Sequence, residues 1–259
     1  MTFNVLLGAE GRFDAVLSVV ARARPDLLVL QECLGWDAAG DGRMARVAAA
    51  LGLPEGERHA VLGPARPRGS GRRFHVALFS RVPIASWRAH NDPNVIGHCL
   101  VEARLASGLV AFGAHFDAHG ESPRFVEARY LRSRLDPAAF ARAPHLLAGD
   151  LNSLSRRDPY PADLAERVRA AGTDKYGHPP RFEVIDELEA QGWVDALYHR
   201  GAPAAWVTAR RDRGGVAIDY RTDYVFASPP LAARLVEAAV APAEGASDHD
   251  AVVAAFELP

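Results

Sequence analysis

The chain has 259 residues, of which 49% are hydrophobic, 24% are charged and 8% are aromatic. These fractions are typical of a globular protein, and they exclude a disordered chain, a collagen-like chain and a coiled coil. The formal net charge is −2, from 30 basic and 32 acidic residues, which excludes nucleic-acid binding by bulk positive charge, so phosphate recognition would have to be local.

Export and membrane signals are not recognisable in the sequence. The first eight residues have no basic segment and too short an apolar run for a signal peptide, and no stretch approaches the ~20 apolar residues that span a bilayer. The two cysteines, Cys33 and Cys99, give neither a disulfide framework nor a zinc-binding spacing. With no repeats and no low-complexity linker, we expect a cytoplasmic protein with one domain over residues 1–259, in which Cys33 is a packing residue.

The predicted elements alternate between short apolar strands and longer amphipathic helices. In chain order they are a strand at Val5–Leu7, a helix over Arg12–Arg24, a strand at Leu27–Leu30, a helix over Met44–Leu51, strands at Val76–Phe79, Leu100–Leu105 and Leu109–Phe112, a helix over Arg124–Leu135, a strand at Leu146–Ala148, helices near Asp163–Ala171 and Val184–Gln191, and strands at Tyr224–Ala227 and Val252–Phe256. The tight turn at 106–108 predicts a hairpin among longer crossovers, and hence mixed sheets covered by helices.

Three segments are rich in arginine and are predicted to be loops. They are Gly63–Arg73, Ser153–Arg181 and Thr208–Arg221. Each alone is typical of a solvated surface loop, but three basic loops in a slightly acidic chain favour a local anion site. Three aromatic residues of these segments could stack on bases or pack within the protein: Tyr160, Tyr176 and Trp206. For Trp206, packing is the preferred interpretation.

Polar residues stand at the ends of the predicted strands, where carboxylates are costly to bury unless they are paired or bound to a metal. They are Asn4, Gln31, Glu32, His115, Asp117, Asp150, Asn152, Asp223, Asp248 and His249. Each alone could be a cap, a turn residue or half of an ion pair. If they converge, their oxygen atoms suit Mg²⁺, Mn²⁺ or Ca²⁺, whereas no spacing points to zinc.

Seven short motifs occur in one order along the chain. They are F-N-V at 3–5, R-P-D-L-L-V-L-Q-E at 24–32, A-L-F-S-R-V-P-I at 77–84, G-A-H-F at 113–116, G-D-L-N at 149–152, R-T-D-Y-V-F at 221–226 and S-D-H at 247–249. Together they resemble the endonuclease/exonuclease/phosphatase superfamily over nearly the whole chain. Two departures, the Gly-Ala before His115 and the Asp250 after His249, bear on substrate fit more than on reactivity.

The resemblance implies an α/β fold, a four-layer α-β-β-α sandwich with two mixed sheets packed face to face, and hydrolysis of phosphate esters with a divalent metal. It makes Glu32 the main metal carboxylate, with Asn4 and Asp248 close to the metal or its waters. It places five residues at the attacking water and the phosphate, namely Asp150, Asn152, His115, Asp223 and His249. Asn152 and His115 would contact phosphate oxygens, and Asp223 would orient His249. Either His249 or Asp150 could be the general base.

The resulting expectation is an Mg²⁺-dependent phosphodiesterase, with Mn²⁺ as a second candidate ion, that acts on DNA, RNA or a nucleotide-like ester. A phosphomonoesterase for a small metabolite and a phosphate-binding protein without turnover are the alternatives. The presence of all the motif residues favours an enzyme over the binding protein.

Overall fold

The structure, a computed structural model, describes residues 1–54, 56, 58–67, 71–213 and 215–257, and the side chains of residues 211–213 lie outside the description. The described strands are β1 (Thr2–Asn4), β2 (Leu27–Gln31), β3 (Ala60–Gly63), β4 (Val76–Ser80), β5 (Ile84–His90), β6 (Cys99–Leu105), β7 (Val110–His115), β8 (His145–Asp150), β9 (Val194–Asp195), β10 (Ala209–Arg213), β11 (Val216–Tyr220), β12 (Asp223–Ala227), β13 (Leu235–Ala241) and β14 (Ala251–Phe256). The described helices are α1 (Phe13–Ala23), α2 (Arg43–Ala50), α3 (Glu121–Ser133), α4 (Pro137–Arg142), α5 (Leu164–Ala170), α6 (Glu183–Ala190) and α7 (Pro229–Ala232), with short 3-10 turns at Leu7–Ala9 and Ala196–Tyr198.

Two mixed six-stranded sheets pack face to face. The first has the order β13-β14-β1-β2-β4-β3 and the second has the order β5-β6-β7-β8-β12-β9, while β10 and β11 form a separate hairpin. Helices α1 and α2 cover the outer face of the first sheet, and α3 and α6 cover the outer face of the second. The predicted four-layer sandwich is confirmed.

Strand β2 shows how the sequence produces these layers. Its side chains alternate between two faces, so Val29 enters the core between the sheets while Leu28 and Leu30 pack under α1 and α2. Helix α1 packs against this face with Val16 and Val20, which are four residues apart on one side of the helix and are fully buried. A strand that is buried on both faces has to be apolar throughout, which explains the unbroken run at 27–30.

The structure corrects several sequence predictions. The first strand is Thr2–Asn4 rather than Val5–Leu7, because the chain turns into a 3-10 turn at Leu7. The predicted loop Thr208–Arg221 is mainly the β10–β11 hairpin, and the predicted loop Ser153–Arg181 contains α5.

Several arginines of the three basic segments form ion pairs. Arg73 pairs with Asp37, Arg156 with Asp186, Arg157 with Glu189, and Arg210 with Asp219 and Asp250. Arg68 and the side chains of Arg211 and Arg213 lie outside the described residues. Arg221 is fully buried between Asp158 and Asp195, at 2.8 Å and 2.7 Å, and does not pair with Asp223.

The aromatic residues of these segments also have structural roles. Tyr176 is buried against Tyr220, with ring centroids 4.7 Å apart, so it presents no face to a base. Trp206 packs edge-on against Tyr160, as its packing interpretation predicts. Cys33 is buried as predicted, and burial raises the pKa of its thiol well above the usual range. The longest described helix, α3, has 13 residues and is too short to cross a bilayer, and no other helix in the described ranges qualifies.

Candidate active site

Polar side chains from both sheets meet at one edge of the sandwich. Asn4 and Gln31 end the neighbouring parallel strands β1 and β2, and His115 and Asp150 end the parallel strands β7 and β8. Asp223 begins β12 directly opposite Asp150, because that pair of strands is antiparallel. The Nδ2 atom of Asn4 donates to Oδ2 of Asp150 at 3.0 Å, so a hydrogen bond joins the two sheets at this edge.

Asp150 lies at the centre of this group. Its Oδ1 atom accepts the backbone N–H of Asn152 at 2.8 Å, and its Oδ2 atom lies 3.9 Å from Nε2 of both His115 and His249. Burial alone would raise the pKa of Asp150, but the positive charge of His249 opposes it, and the pKa falls to about 2. Asp150 is therefore a carboxylate at neutral pH.

Asp223 and His249 form a buried pair behind Asp150. Nδ1 of His249 donates to Oδ2 of Asp223 at 2.8 Å, and the hydroxyl of Thr208 donates to the same oxygen at 2.7 Å. Burial would lower the pKa of His249, but the charge and hydrogen bond of Asp223 raise it to about 9. His249 is thus an imidazolium at neutral pH, and its Nε2 atom faces Asp150. Thr208 was missed by the sequence analysis, where it only opens a predicted loop.

Glu32 lies on the first-sheet side of the group. Its Oε1 atom is 3.3 Å from Nδ2 of Asn4, the same amide group that donates to Asp150, and its Oε2 atom accepts the backbone N–H of Leu7 at 2.8 Å. Two carboxylates therefore converge on one neutral amide. Asp248 is more exposed, and its Oδ1 atom lies 4.0 Å from Nε2 of His249.

His115 is one of two stacked imidazoles. The ring of His98 lies on it, with centroids 4.2 Å apart and planes 24° apart, and Phe74 contacts both rings edge-on. Burial lowers the pKa of His115 to about 4 and that of His98 to about 3, so both rings are neutral near pH 7. Nδ1 of His115 and Nε2 of His98 are buried without a hydrogen-bond partner among the described residues. His98 was not predicted, and nothing in its sequence context singles it out.

Asn152 is held between two groups. Its Nδ2 atom donates to the carbonyl of Phe116 at 2.9 Å, and its Oδ1 atom accepts from the ammonium of Lys175. The sequence pattern places Lys175 only in a basic loop, although a single lysine among 30 basic residues is a signal that points to it. Lys175 also lines a cavity of about 240 Å³, whose apolar walls include Val216 and Ile218.

Two polar strand-end residues have structural roles instead. The carboxamide of Gln31 exchanges hydrogen bonds with the hydroxyl of Thr2, and Oδ1 of Asp117 accepts the backbone N–H of His119 in a turn. The eight predicted site residues do lie together at this edge, namely Asn4, Glu32, His115, Asp150, Asn152, Asp223, Asp248 and His249. Their individual roles stay predictions.

The donor atoms fit a hard divalent cation. Glu32 and Asp150 supply carboxylate oxygens on either side of the neutral Asn4 amide, and Glu32 forms no salt bridge among the described residues, so its negative charge is left for a cation to neutralise. Ligand-type atoms of Asp150, Asp223 and His249 also lie within 4.8 Å of one another. The hydrogen bond between Asp223 and His249 already occupies two of those atoms, so the Glu32 side suits a metal better.

Comparison with known proteins identifies the family. The sequence matches the Endonuclease/Exonuclease/phosphatase family over residues 1–249, and the chain therefore belongs to this family. Members of the family are hydrolases that act on phosphate esters and generally depend on a divalent metal. Among curated proteins, no sequence matches this chain.

Solved structures share the fold at low sequence identity. An AP endonuclease from Archaeoglobus fulgidus aligns with 99% of this chain and 98% of its own, with a TM-score of 0.70 and 20% identity. A 3′–5′ exonuclease from Neisseria meningitidis aligns over 99% and 98%, with a TM-score of 0.67 and 20% identity. A 3′ phosphatase from Neisseria, bound to a product DNA hairpin, aligns over 99% and 98%, with a TM-score of 0.65 and 21% identity. The family match makes the chain a phosphoesterase, and these structures share its fold.

Proposed function

We propose that this protein is an Mg²⁺-dependent phosphodiesterase that hydrolyses nucleic acid or a nucleotide-like ester. The observation that carries the proposal is the line of buried groups from Asp223 through His249 to Asp150, which supplies one protonated and one ionised group at neutral pH. The similar structures named as an AP endonuclease and a 3′–5′ exonuclease support nucleic acid as the substrate class.

The protonation states support different roles for Asp150, as a proton acceptor, and His249, as a hydrogen-bond donor. Oδ2 of Asp150, as a carboxylate, accepts the proton of the attacking water. Nε2 of His249, as an imidazolium, donates to a non-bridging phosphate oxygen, where negative charge accumulates. Asp223 keeps the His249 ring in this orientation through its hydrogen bond to Nδ1. This assignment favours Asp150 over His249 as the general base.

Glu32 would hold the metal, with Asn4 and Asp248 beside it. A divalent cation bound there would neutralise phosphate charge and stabilise the leaving oxygen. The residues of this chain orient the ester around it: Nδ2 of Asn152 and Nε2 of His115 donate to phosphate oxygens.

The neutral imidazoles favour a diester over a monoester. A diester carries one negative charge, whereas a monoester carries nearly two at pH 7. His115 and His98 can donate N–H groups without adding positive charge, because burial keeps the pKa of each ring well below 7. These two rings therefore supply no extra positive charge for the second negative charge of a monoester.

Hydrolysis of two small esters tests the proposal. Wild-type protein is expected to cleave bis(p-nitrophenyl) phosphate faster than p-nitrophenyl phosphate in Mg²⁺, and EDTA should abolish the activity. Glu32→Gln should lower kcat/KM by at least about 100-fold, while the exposed Glu10→Gln serves as a matched control with wild-type rates. A preference for the monoester would make the protein a phosphomonoesterase, and turnover that persists in EDTA would contradict the metal dependence.

A further inference from the structure

The only lysine of the sequence lies in the candidate active site. The other 29 of the 30 basic residues are arginines, so a lysine at position 175 is an exception to the composition of the chain. Lys175 is 8% exposed, and its ammonium donates to Oδ1 of Asn152. Its positive charge also acts on Asp150 and His115, contributing to the low pKa of each.

A buried network holds Lys175 in place. The guanidinium of Arg124, which is fully buried, donates to the carbonyl of Lys175 and pairs with Glu121 at 2.8 Å. The same guanidinium donates to the hydroxyl of Ser153 at 3.0 Å, next to Asn152. The Lys175 ammonium lies 5.3 Å from the ring centroid of Tyr176. Both the backbone and the charged end of Lys175 are therefore fixed.

The hydrogen bond from the Lys175 ammonium determines the orientation of the Asn152 carboxamide. An ammonium can only donate, so Oδ1 of Asn152 must face Lys175, and a carbonyl can only accept, so Nδ2 must face Phe116. The second N–H of Nδ2 is then left for another acceptor. Arginine could not substitute without change, because its planar guanidinium spreads its donors over a fork rather than on one compact end.

We propose that Lys175 is a positioning residue for phosphate ester hydrolysis: its ammonium holds the Asn152 carboxamide so that the second N–H of Nδ2 is available to the scissile phosphate. This inference rests on the proposed function, because it assigns Asn152 a phosphate contact. Lys175 acts through Asn152, so its removal should lower kcat more than it changes KM.

A double-mutant cycle tests this coupling. Lys175→Met is expected to lower kcat on bis(p-nitrophenyl) phosphate by about 10- to 100-fold, the usual cost of losing a group that orients an active-site residue. Adding Lys175→Met to Asn152→Ala should cost little more than Asn152→Ala alone. The exposed Arg169→Met removes one positive charge and should keep wild-type rates. Multiplying effects in the double variant, or full activity in Lys175→Met or Lys175→Arg, would overturn the proposal.

A spectroscopic readout separates this inference from the proposed function. The chain has four asparagines, so selective ¹⁵N labelling gives four side-chain amide nitrogens, each with a pair of proton signals that we treat as one signal, and Asn152→Ala identifies the one from Asn152. Lys175→Met should shift or broaden that signal, while the other three signals stay in place and show that the fold is intact. An unchanged Asn152 signal would overturn the positioning role even if the wild-type enzyme is active. If the wild type hydrolyses no diester, the proposed function fails, and the amide spectrum still decides whether Lys175 orders Asn152.

Discussion

Glu32 and Asn152 share an unusual backbone conformation. Glu32 directly follows β2, and Asn152 lies two residues after the end of β8. The φ angle is positive at both residues, 58° at Glu32 and 53° at Asn152. Asparagine tolerates this region because its side chain can hydrogen-bond locally, whereas glutamate rarely adopts it, at a cost of about 1–2 kcal/mol. The backbone N–H of Leu7 on Oε2 of Glu32 is one contact that keeps the carboxylate in place despite this strain.

The Asp223–His249 pair gives a prediction at the same scale. In metal-free protein, we expect His249 to titrate near pH 9, because Asp223 stabilises its protonated form. Asp223→Asn removes that charge while keeping the shape, so the pKa of His249 should fall by at least one unit. Titration of the histidine ring signals by NMR measures both values. A His249 pKa near 6.5 in the wild type, or no change in Asp223→Asn, would contradict the pairing.

The same pair links stability to pH. In the unfolded chain His249 loses its proton near pH 6.5, and in the folded metal-free protein it does so near pH 9. The folded state holds more protons between these values, so the stabilisation is complete below pH 6.5 and is lost as the pH rises through 9. The slope for one proton is at most about 1.4 kcal/mol per pH unit. Asp223→Asn should flatten it.

At the scale of elements, the sequence predicts the interior strands of each sheet but not the strands at either side of it. The four edge strands, β3, β5, β9 and β13, were all missed, whereas a strand was predicted at or beside each interior strand of both sheets. Interior strands are covered on both faces and therefore appear as apolar runs. Edge strand β5 exposes four of its seven residues and carries a mixed pattern that also fits a loop. Strand β13 has the sequence L-V-E-A-A-V-A, whose alanines favour a helix over a strand.

Gly149 shows why a motif residue is needed at the end of β8. A Cβ atom built there would lie 2.0 Å from the carbonyl oxygen of Ala114 in the neighbouring strand β7. The backbones approach closely at this point and carry Asp150 and His115 to the site edge. The glycine of the G-D-L-N motif is thus explained by packing rather than by chemistry.

Gly149→Ala should therefore destabilise the protein. We expect the free energy of unfolding to fall by about 1–3 kcal/mol, because the strands must separate to admit the methyl group. The fall should exceed that of Gly120→Ala, whose added Cβ would come no closer than 3.5 Å to its neighbours. Urea unfolding followed by circular dichroism measures both differences. Equal stability of Gly149→Ala and the wild type would contradict the close approach.

At the scale of the whole molecule, the site exists only because two sheets meet. Asn4 and Glu32 come from the first sheet, and Asp150 and Asp223 come from the second, with more than 140 residues between Asn4 and Asp150. The strand-end pattern and the order of motifs predict which residues gather at this edge. Neither gives the contacts of Thr208, His98 or Lys175, because those depend on how loops fold back over the edge.

The net charge of the chain is negative, whereas its candidate active site contains positively charged groups. A chain with a net charge of −2 has no bulk attraction for nucleic acid, and several exposed arginines of its basic segments are paired with acids. The positive charge at the site is instead local, on His249 and Lys175, both of which are buried. In the proposed function, these few fixed donors bind the phosphate without a cationic surface.

The most direct test of the central claim is cleavage of end-labelled DNA and RNA oligonucleotides in Mg²⁺, compared between the wild type and Asp150→Asn. The wild type should produce shortened strands, and both EDTA and Asp150→Asn should abolish them, because the proposed mechanism needs Asp150 to accept the proton of the attacking water. Intact oligonucleotides under conditions where the same wild-type protein releases phosphate from small monoesters would contradict the account.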